Sequence, residues 1–413
     1  MRLLFLTPQR PFPPRQGTAL RNWGLIQHLA ARGHEVWLLS FDPHPDHPPA
    51  PALRAACREI HLFPTPRRTT RQRLRTLMSS PLPDMAWRLW DTRFLEALRA
   101  WVRANTFDVV QVEGIELARY MLHAQADAPR TRWVFDDHNC EYVLQQRAFF
   151  TDVRSPRRWH AALYSFIQWQ RLRAFEQQAM QRAALTVCVS AEDEAALRRI
   201  APCAPLLMIP NGIAVADYAH FGSSHSEEEA YTLVFTGKMD FRPNVDAALW
   251  FAAHIWPRVK AAQPRARWWI VGQSPSPRLD PLRADPSIVI TGAVEDVRPF
   301  IARAAVYVAP LRVGGGTRFK LLEAMAMRKA IVSTSLGCEG FAVRSGEALI
   351  VADTPHDFAQ AILALFDDVP RRRALGERAF QFVAAHYDWA HLVPRLEAAY
   401  FSLCRAHPDA DHC

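Results

Sequence analysis

Between Arg312 and Gly337 the chain reads RVGGGTRFKLLEAMAMRKAIVSTSLG, three consecutive glycines followed by a helix-forming run with Glu323 in its middle. The apolar run at 306–309 has the length of a buried strand. From Thr317 onward the spacing predicts a helix whose buried stripe is Leu321, Leu322, Met325 and Ala326. Gly314, Gly315 and Gly316 thus stand where a strand ends and a helix begins. Free backbone N–H groups and the helix dipole favour an anion at such a place, and glycine lets a phosphate approach the backbone. Arg318 and Lys320 put positive charge in the first turn, which opposes the dipole and implies an anion from outside. No GK[ST] follows the glycines and they do not spell GxGxxG, so they form neither a Walker loop nor a dinucleotide fingerprint; Gly237-Lys238-Met239 fails the first test too. Glu323 has two readings. It is a partly exposed helical glutamate, or its carboxylate accepts two hydroxyls of a vicinal diol, as acidic residues do for ribose in dinucleotide sites.

A second group lies in FDDHNCEY at 135–142. His138 follows an apolar run and so falls at the carboxyl end of a strand, where a histidine serves structure or function. Asp136 and Asp137 have the look of a metal or acid–base pair, but the reading adopted is that one of them caps the next helix. Glu339 stays without a role. His44, Asp46 and His47 sit among prolines and read as a surface loop rather than a metal site. The DxD at Asp409 to Asp411 lies in the tail and is assigned nothing.

These residues need a scaffold. A buried strand at 3–6, a proline-rich loop ending at Gly17, a helix at 18–32 stopped by Gly33, and a strand at 36–41 make a βαβ unit. Strands at 109–112, 133–135 and 185–189 continue it, with a long helix at about 159–183 before the last. The polar segment 220–230 reads as a surface loop. A second series has strands at 232–236, 268–271, 288–291, 306–309 and 330–333. The expected fold is α/β, two doubly wound halves in one chain. In such sheets ligands bind at the carboxyl ends of the strands, and with two domains the natural site is the cleft between them.

Bulk properties narrow the class. The 413 residues are 49% apolar, enough for two or three domains with cores. Residues 1–200 hold 28 arginines, no lysine and 19 acidic residues, whereas the remainder balances at 22 and 22. A charge excess confined to one half faces something anionic, or is a solvated arginine face. It concentrates between Arg67 and Arg103, where basic and apolar residues interleave. That stretch reads either as a surface lying on an anionic membrane or as amphipathic helices covering the sheet. Nucleic acid is disfavoured, because no recognition module or aromatic–basic repeat occurs. Seven cysteines without CxxC spacing indicate reduced thiols in a cytoplasmic protein. The apolar run at the N-terminus is too short for a signal peptide, and no run has the length of a membrane span.

Taken together, the motifs PPRQGTALR, FDDHNCEY, VCVSAEDEAAL, IPNGI, FTGKMDFRPN, WWIVGQSP, ITGAVEDVRPFI, GGGTRFKLLEAMA and HYDW, in this order, resemble the GT-B-fold retaining glycosyltransferases, the glycosyl transferases group 1 and glycosyltransferase family 4. The resemblance covers nearly the whole chain. It implies two Rossmann-like domains facing each other across a cleft: 1–202 for the acceptor, 203–385 for a nucleotide-sugar donor, and a helix in 386–413 returning to the first. Glu323 then binds the ribose hydroxyls, and Gly237, Lys238, Arg242, Arg318 and the loop Gly314, Gly315, Gly316 and Thr317 hold the diphosphate. Val294 meets the base through its backbone. Arg15, Gly17 and Thr18 belong to the acceptor loop, and His138 faces the transferred sugar, so that His138 and Glu323 stand nearest the chemistry. The resemblance also implies front-face transfer without a protein nucleophile, a metal or another cofactor, onto a glycan or lipid-linked acceptor. Such work places the protein in the cytoplasm or on the inner face of the membrane, in polysaccharide assembly.

Two departures from the family pattern stand out. The first of its two glutamates is Gly315 here, which opens the choice of sugar. The second cation of the loop after the first C-domain strand is replaced by Pro243 and Asn244, with Arg242 or Arg318 as candidate substitutes. A nucleotide-binding protein without transfer activity is the alternative. A nicotinamide-dependent dehydrogenase is disfavoured, since no GxGxxG follows the first strand.

Overall fold

A computed structural model describes residues 1–14, 17–154, 158–222, 228–313 and 318–405. They form two compact units, 1–210 with the chain from Leu392 onward, and 211–391.

The first unit holds seven strands: β1 (Arg2–Thr7), β2 (Glu35–Asp42), β3 (Glu59–Pro64), β4 (Val109–Glu113), β5 (Arg132–Asp137), β6 (Leu185–Cys188) and β7 (Leu206–Met208). Their order is β3-β2-β1-β4-β5-β6-β7, parallel throughout. Parallel sheets are covered on both faces, which is why LLFL and WVF are apolar without alternation and why β4 buries even its polar Gln111. The order reverses between β1 and β4, so the loops after these two strands flank a switch point.

The second unit has β8 (Glu229–Thr236), β9 (Arg267–Val271), β10 (Ile288–Ile290), β11 (Ala304–Ala309), β12 (Ala330–Ser333) and β13 (Ile350–Val351). The order β10-β9-β8-β11-β12-β13 is again parallel, with its switch point between β8 and β11.

The helix expected after β1 spans Gly17–Ala31 and buries Leu25, Ile26 and Leu29. Gly33 ends it at φ 87°, with its N–H on Ala30 and that of His34 on Leu29, a left-handed helix stop. β7 pairs with β6, so the first unit runs to Pro210 rather than ending at 202. From Leu392 the Trp389–Arg405 helix counts with the first unit, where His34 Nε2 lies 2.7 Å from Glu397.

Two readings need correction, and one left open is divided. The segment 220–230 is not all loop: its start closes the Ala216–Gly222 helix, its end opens β8, and Glu228 pairs with the buried Arg372. Neither Asp136 nor Asp137 caps the Glu141–Asp152 helix. Its first amides, Glu141 and Tyr142, instead donate to the carboxylate of Glu176 at 2.6 and 3.0 Å. The arginine-rich stretch divides. The Thr92–Ala104 helix covers the sheet with Phe94, Leu95, Leu98 and Val102, while the Thr70–Ser79 helix buries no residue. Among the described residues, no helix is long and apolar enough to cross a membrane, and the six cysteines are free thiols.

Candidate active site

In the second unit the loops after the neighbouring strands β8 and β9 come together beside the switch point. After β8, Gly237 has φ 150° and donates to Val271 at 3.0 Å. After β9, a Cβ on Gly272 would fall 1.8 Å from the Gly237 carbonyl, so only glycine permits this approach of backbone to backbone. Asn244 then fixes the loop from the Arg242–Trp250 helix, its Nδ2 donating to the Lys238 carbonyl at 2.9 Å.

The helix after β11 spans Phe319–Ala326 and buries Leu321, Leu322, Met325 and Ala326, the stripe expected from spacing. Lys320 leaves it toward the β8 loop. Its Nζ donates to Asn244 Oδ1 at 2.7 Å, lies 4.5 Å from the Phe235 ring centroid, and stands where a Cβ on Gly237 would meet it at 2.9 Å. Burial, helped by Arg318, pulls the Lys320 ammonium down to about 7, and no carboxylate pairs with it among the described residues. One turn on, Glu323 is half-buried and accepts from the Tyr218 hydroxyl at 3.3 Å. Burial pushes its carboxyl up to about 7, against the hydrogen bond from Tyr218 and the charges of Lys320 and Arg298. One helix therefore carries an ammonium and a carboxylate, both costly to keep charged without a ligand.

The other residues expected at a donor site fall as follows. Lys238 is half exposed and pairs with Asp240 at 3.2 Å. Arg242 is exposed at the start of its helix. Val294, in the loop after β10, is half-buried and packs on the cluster that includes Leu321 and Leu322. Arg318 immediately precedes the Phe319–Ala326 helix. Gly314, Gly315, Gly316 and Thr317 lie outside the described residues, as does Arg15 in the first unit.

The first unit assembles a buried ionic network at its own switch point. Glu113 and Asp136 end neighbouring strands in direct register and are both fully buried. Two adjacent carboxylates need compensation. Arg21, buried on the Gly17–Ala31 helix, donates from Nε and Nη2 to both oxygens of Asp136 at 2.9–3.2 Å, and from Nη1 to the Ile209 and Pro210 carbonyls. Gln111 also donates to Asp136 and accepts from the Tyr400 hydroxyl. Glu113 takes His138 Nε2 at 2.6 Å. With its amide turned to suit its neighbours, Asn22 donates to Glu113 at 2.7 Å and to the Thr18 carbonyl. Burial opposes the His138 imidazolium, but the hydrogen bond and charge of Glu113, with Asp136, outweigh it and raise the His138 pKa above its ordinary value.

His138 is thus held by one nitrogen. The other, Nδ1, lies toward Gly114, where an added Cβ would stand 3.7 Å away; Gly114 has φ 86°. Gly17 and Thr18 open the helix that carries Arg21 and Asn22. Glu113, Asp136 and His138 each offer a ligand atom within 4.8 Å of the others, the spacing of a cation site. Arg21 already brings positive charge to Asp136. Asp137, also buried, faces Glu176, Glu141 and Asp193. Burial first, then these charges, holds its carboxyl well above the usual range, and neither oxygen has a partner among the described residues.

Arg21, Glu113 and Tyr218 are residues that sequence reasoning missed, and Asn244 entered it only as the replacement of a cation. A signal existed for Arg21, which shares the i, i+4, i+8 stripe of Leu25 and Leu29 and is therefore a charge aimed at the core. Glu113 ends an apolar strand run, as Asp136 does. Tyr218 has no local signature, because its partner lies 105 positions away, and the Lys320 partner of Asn244 lies 76 positions away.

Two parallel doubly wound units, each with its polar groups at the switch point, define the α/β two-domain architecture of the GT-B glycosyltransferases. Residues 16–217 match the family described as Glycosyltransferase Family 4, and residues 230–368 the one described as Glycosyl transferases group 1; the chain belongs to these glycosyltransferases. It is 29% identical over 199 residues, 46% of this chain and 50% of the relative, to a phosphatidyl-myo-inositol mannosyltransferase of Mycolicibacterium smegmatis. The chain matches about half the length, or less, of its curated relatives. Among solved structures it is similar to a sucrose-phosphate synthase of Thermosynechococcus elongatus (TM-score 0.71, 18% identity, 98% of this chain and 99% of that one). It is also similar to Anabaena HepE in complex with UDP and glucose (TM-score 0.65, 13% identity, 97% and 100%).

Proposed function

We propose that the chain is a retaining glycosyltransferase that moves a hexose from a nucleoside-diphosphate sugar to a glycan or lipid-linked acceptor, in cytoplasmic assembly of cell-surface polysaccharide or glycolipid. The observation that carries the proposal is the pairing of Lys320 and Glu323 on one helix, with Lys320 tied to Asn244 beside Gly237. In this reading Glu323 accepts the ribose hydroxyls, and Lys320 lies against the diphosphate as its charge grows on departure. Val294 meets the base. Lys238, Arg242 and Arg318 add longer-range positive charge, and Gly314 to Thr317 supply backbone amides as the resemblance implies.

The bond from the anomeric carbon to the phosphate oxygen breaks, and the acceptor hydroxyl adds on the same face. Its proton passes to the departing phosphate, so the step uses neither a metal nor a protein nucleophile. His138, held by Glu113, meets the sugar, and the segment of Arg15, Gly17 and Thr18 meets the acceptor. The mannosyltransferase relative and the UDP complex of HepE support this substrate class.

The test is slow donor hydrolysis, or transfer to extracted membranes, with a panel of UDP-, GDP-, ADP- and dTDP-sugars, the product anomer read by NMR. Retention of configuration is expected. Inversion would overturn the retaining reading, and nucleotide binding without turnover of any donor would favour the non-transferring alternative.

A further inference from the structure

Beyond transfer itself, the surface of the first unit identifies a partner. Of the large apolar side chains that are exposed among the described residues, most lie on three helices: Thr70–Ser79, the end of Glu141–Asp152 with Val153, and the start of Trp159–Arg182. On the long helix, Trp159, Leu163 and Phe166 follow i, i+4, i+7 and form one outward stripe, with Trp159 58% exposed. On the Thr70–Ser79 helix, Leu74 and Met78 follow i, i+4, and Met78 is 81% exposed.

The stripes belong to one surface. Arg171 donates to the Leu77 carbonyl at 2.8 Å, and the helices enclose a cavity of about 210 Å³ lined in part by Leu74, Leu77, Leu82 and Tyr164. Phe150 continues it, its ring within 6.2 Å of Trp169 and Trp169 within 6.0 Å of Phe166.

Arginine outnumbers acid on this surface, where Asp84 pairs with Arg68 and Arg73, and Asp152 with Arg158. Residues 65–83 contain five arginines and no acidic residue, and residues 153–175 repeat that count. Arg67, Arg71, Arg75 and Arg154 are exposed and have no carboxylate partner among the described residues. A soluble chain rarely leaves a contiguous apolar patch to water. Ringed by arginine, such a patch suits a surface that is negative outside and apolar beneath. A second copy of the chain would set arginine against arginine.

We propose that the Thr70–Ser79 helix and the first turns of the Trp159–Arg182 helix form a docking surface for an anionic lipid bilayer, with Leu74, Met78, Trp159, Leu163 and Phe166 entering the interface and the arginines meeting headgroups. This places at these two helices the membrane contact that the sequence left open over Arg67 to Arg103, and it leaves the Thr92–Ala104 helix to the core.

The test is co-sedimentation of the full chain with vesicles of 70% phosphatidylcholine and 30% phosphatidylglycerol, with pure phosphatidylcholine as control and no sugar donor present. Two variants accompany it: Leu74→Ser/Met78→Ser/Leu163→Ser/Phe166→Ser, and Phe241→Ser/Val289→Ser, which removes exposed apolar groups from the second unit. The expected result is binding to anionic vesicles only, weakened by salt, reduced at least about tenfold in the first variant and unchanged in the second. Brominated acyl chains should quench fluorescence in wild type more than in Trp159→Phe. Absence of binding at low salt, equal binding by the four-site variant, or a dimer in analytical ultracentrifugation that those four changes dissolve would each overturn the proposal. Because no donor is used, these outcomes are independent of the glycosyltransferase reading.

Discussion

Lys320 Nζ donates to Asn244 Oδ1 at 2.7 Å, and Asn244 Nδ2 in turn donates to the Lys238 carbonyl at 2.9 Å. The helix after β11 and the loop after β8 are therefore tied across the switch point by one amide. The sequence read Arg318 and Lys320 as positive charge in the first turn of the helix and assigned Lys238, Arg242 and Arg318 to the diphosphate. The structure brings Lys320 against Gly237, while Lys238 is engaged with Asp240 near solvent. Charge-assisted hydrogen bonds to a phosphate are worth about 1.5–3 kcal/mol, so Lys320→Met should weaken nucleoside diphosphate binding by roughly 10- to 100-fold. Lys238→Ala and Arg242→Ala should each cost about threefold or less, as exposed charges do. Titration calorimetry ranks the three, and a larger loss at Lys238 than at Lys320 would reverse the assignment.

The same helix sets a pH dependence. In the proposed donor site Glu323 needs its charge to accept two hydroxyls and is protonated below about 7, whereas Lys320 needs its charge to hold phosphate and is neutral above about 7. Nucleotide affinity should follow a bell centred near pH 7. Glu323→Gln flattens the acid limb and Lys320→Arg the alkaline one. For the unliganded chain the signs are opposite. The raised Glu323 pKa means the native state holds more protons between about 4.5 and 7, so its contribution to stability falls as pH rises through that window. The depressed Lys320 pKa makes its contribution grow from about 7 to 10.5. A thermal melt series should show their combined contribution lowest near pH 7, a minimum absent in Glu323→Gln/Lys320→Met.

In the first unit, Arg21 is the counter-charge of Asp136. Arg21→Met leaves a buried carboxylate unpaired and should cost about 3–5 kcal/mol in urea unfolding. The double change Arg21→Met/Asp136→Leu should recover most of that loss. If the double variant is as unstable as the single one, packing rather than charge explains Arg21.

Against burial, Glu113 raises the His138 pKa by its hydrogen bond and charge. Glu113→Gln removes that charge, and the His138 pKa, followed by NMR of the ring protons, should drop toward or below the ordinary histidine value. His138→Ala should lower transfer much more than nucleotide affinity, because His138 and the Glu323 site belong to different units.

Much of this was legible in the sequence, and the limits have physical causes. The strands whose two faces are buried announce themselves as apolar runs, so β1, β2 and β12 were read closely. β3, β7 and β13 were not, since each is a partly exposed sheet-edge strand or next to one, and β13 has only two residues. Gly237 and Glu323 carry local signatures, a glycine after a strand and an acid inside an apolar helix. What gives them partners is long-range. Tyr218 reaches Glu323 from a helix ahead of β8, and Glu176 caps the Glu141–Asp152 helix from 34 and 35 residues away. A sequence read alone offered Asp136 or Asp137 for that cap because they were near in the chain.

The central claim is that Glu323 and its helix form a nucleotide-sugar donor site. Calorimetric titration of UDP, GDP, ADP and dTDP into wild type and Glu323→Ala at pH 7 tests it most directly. One nucleotide should bind wild type clearly better than the rest, and its affinity should fall at least about tenfold in Glu323→Ala, the loss of a charged acceptor of two hydroxyls. Equal affinity of wild type and Glu323→Ala for every nucleotide, or no binding of any of the four to the wild type, would contradict it.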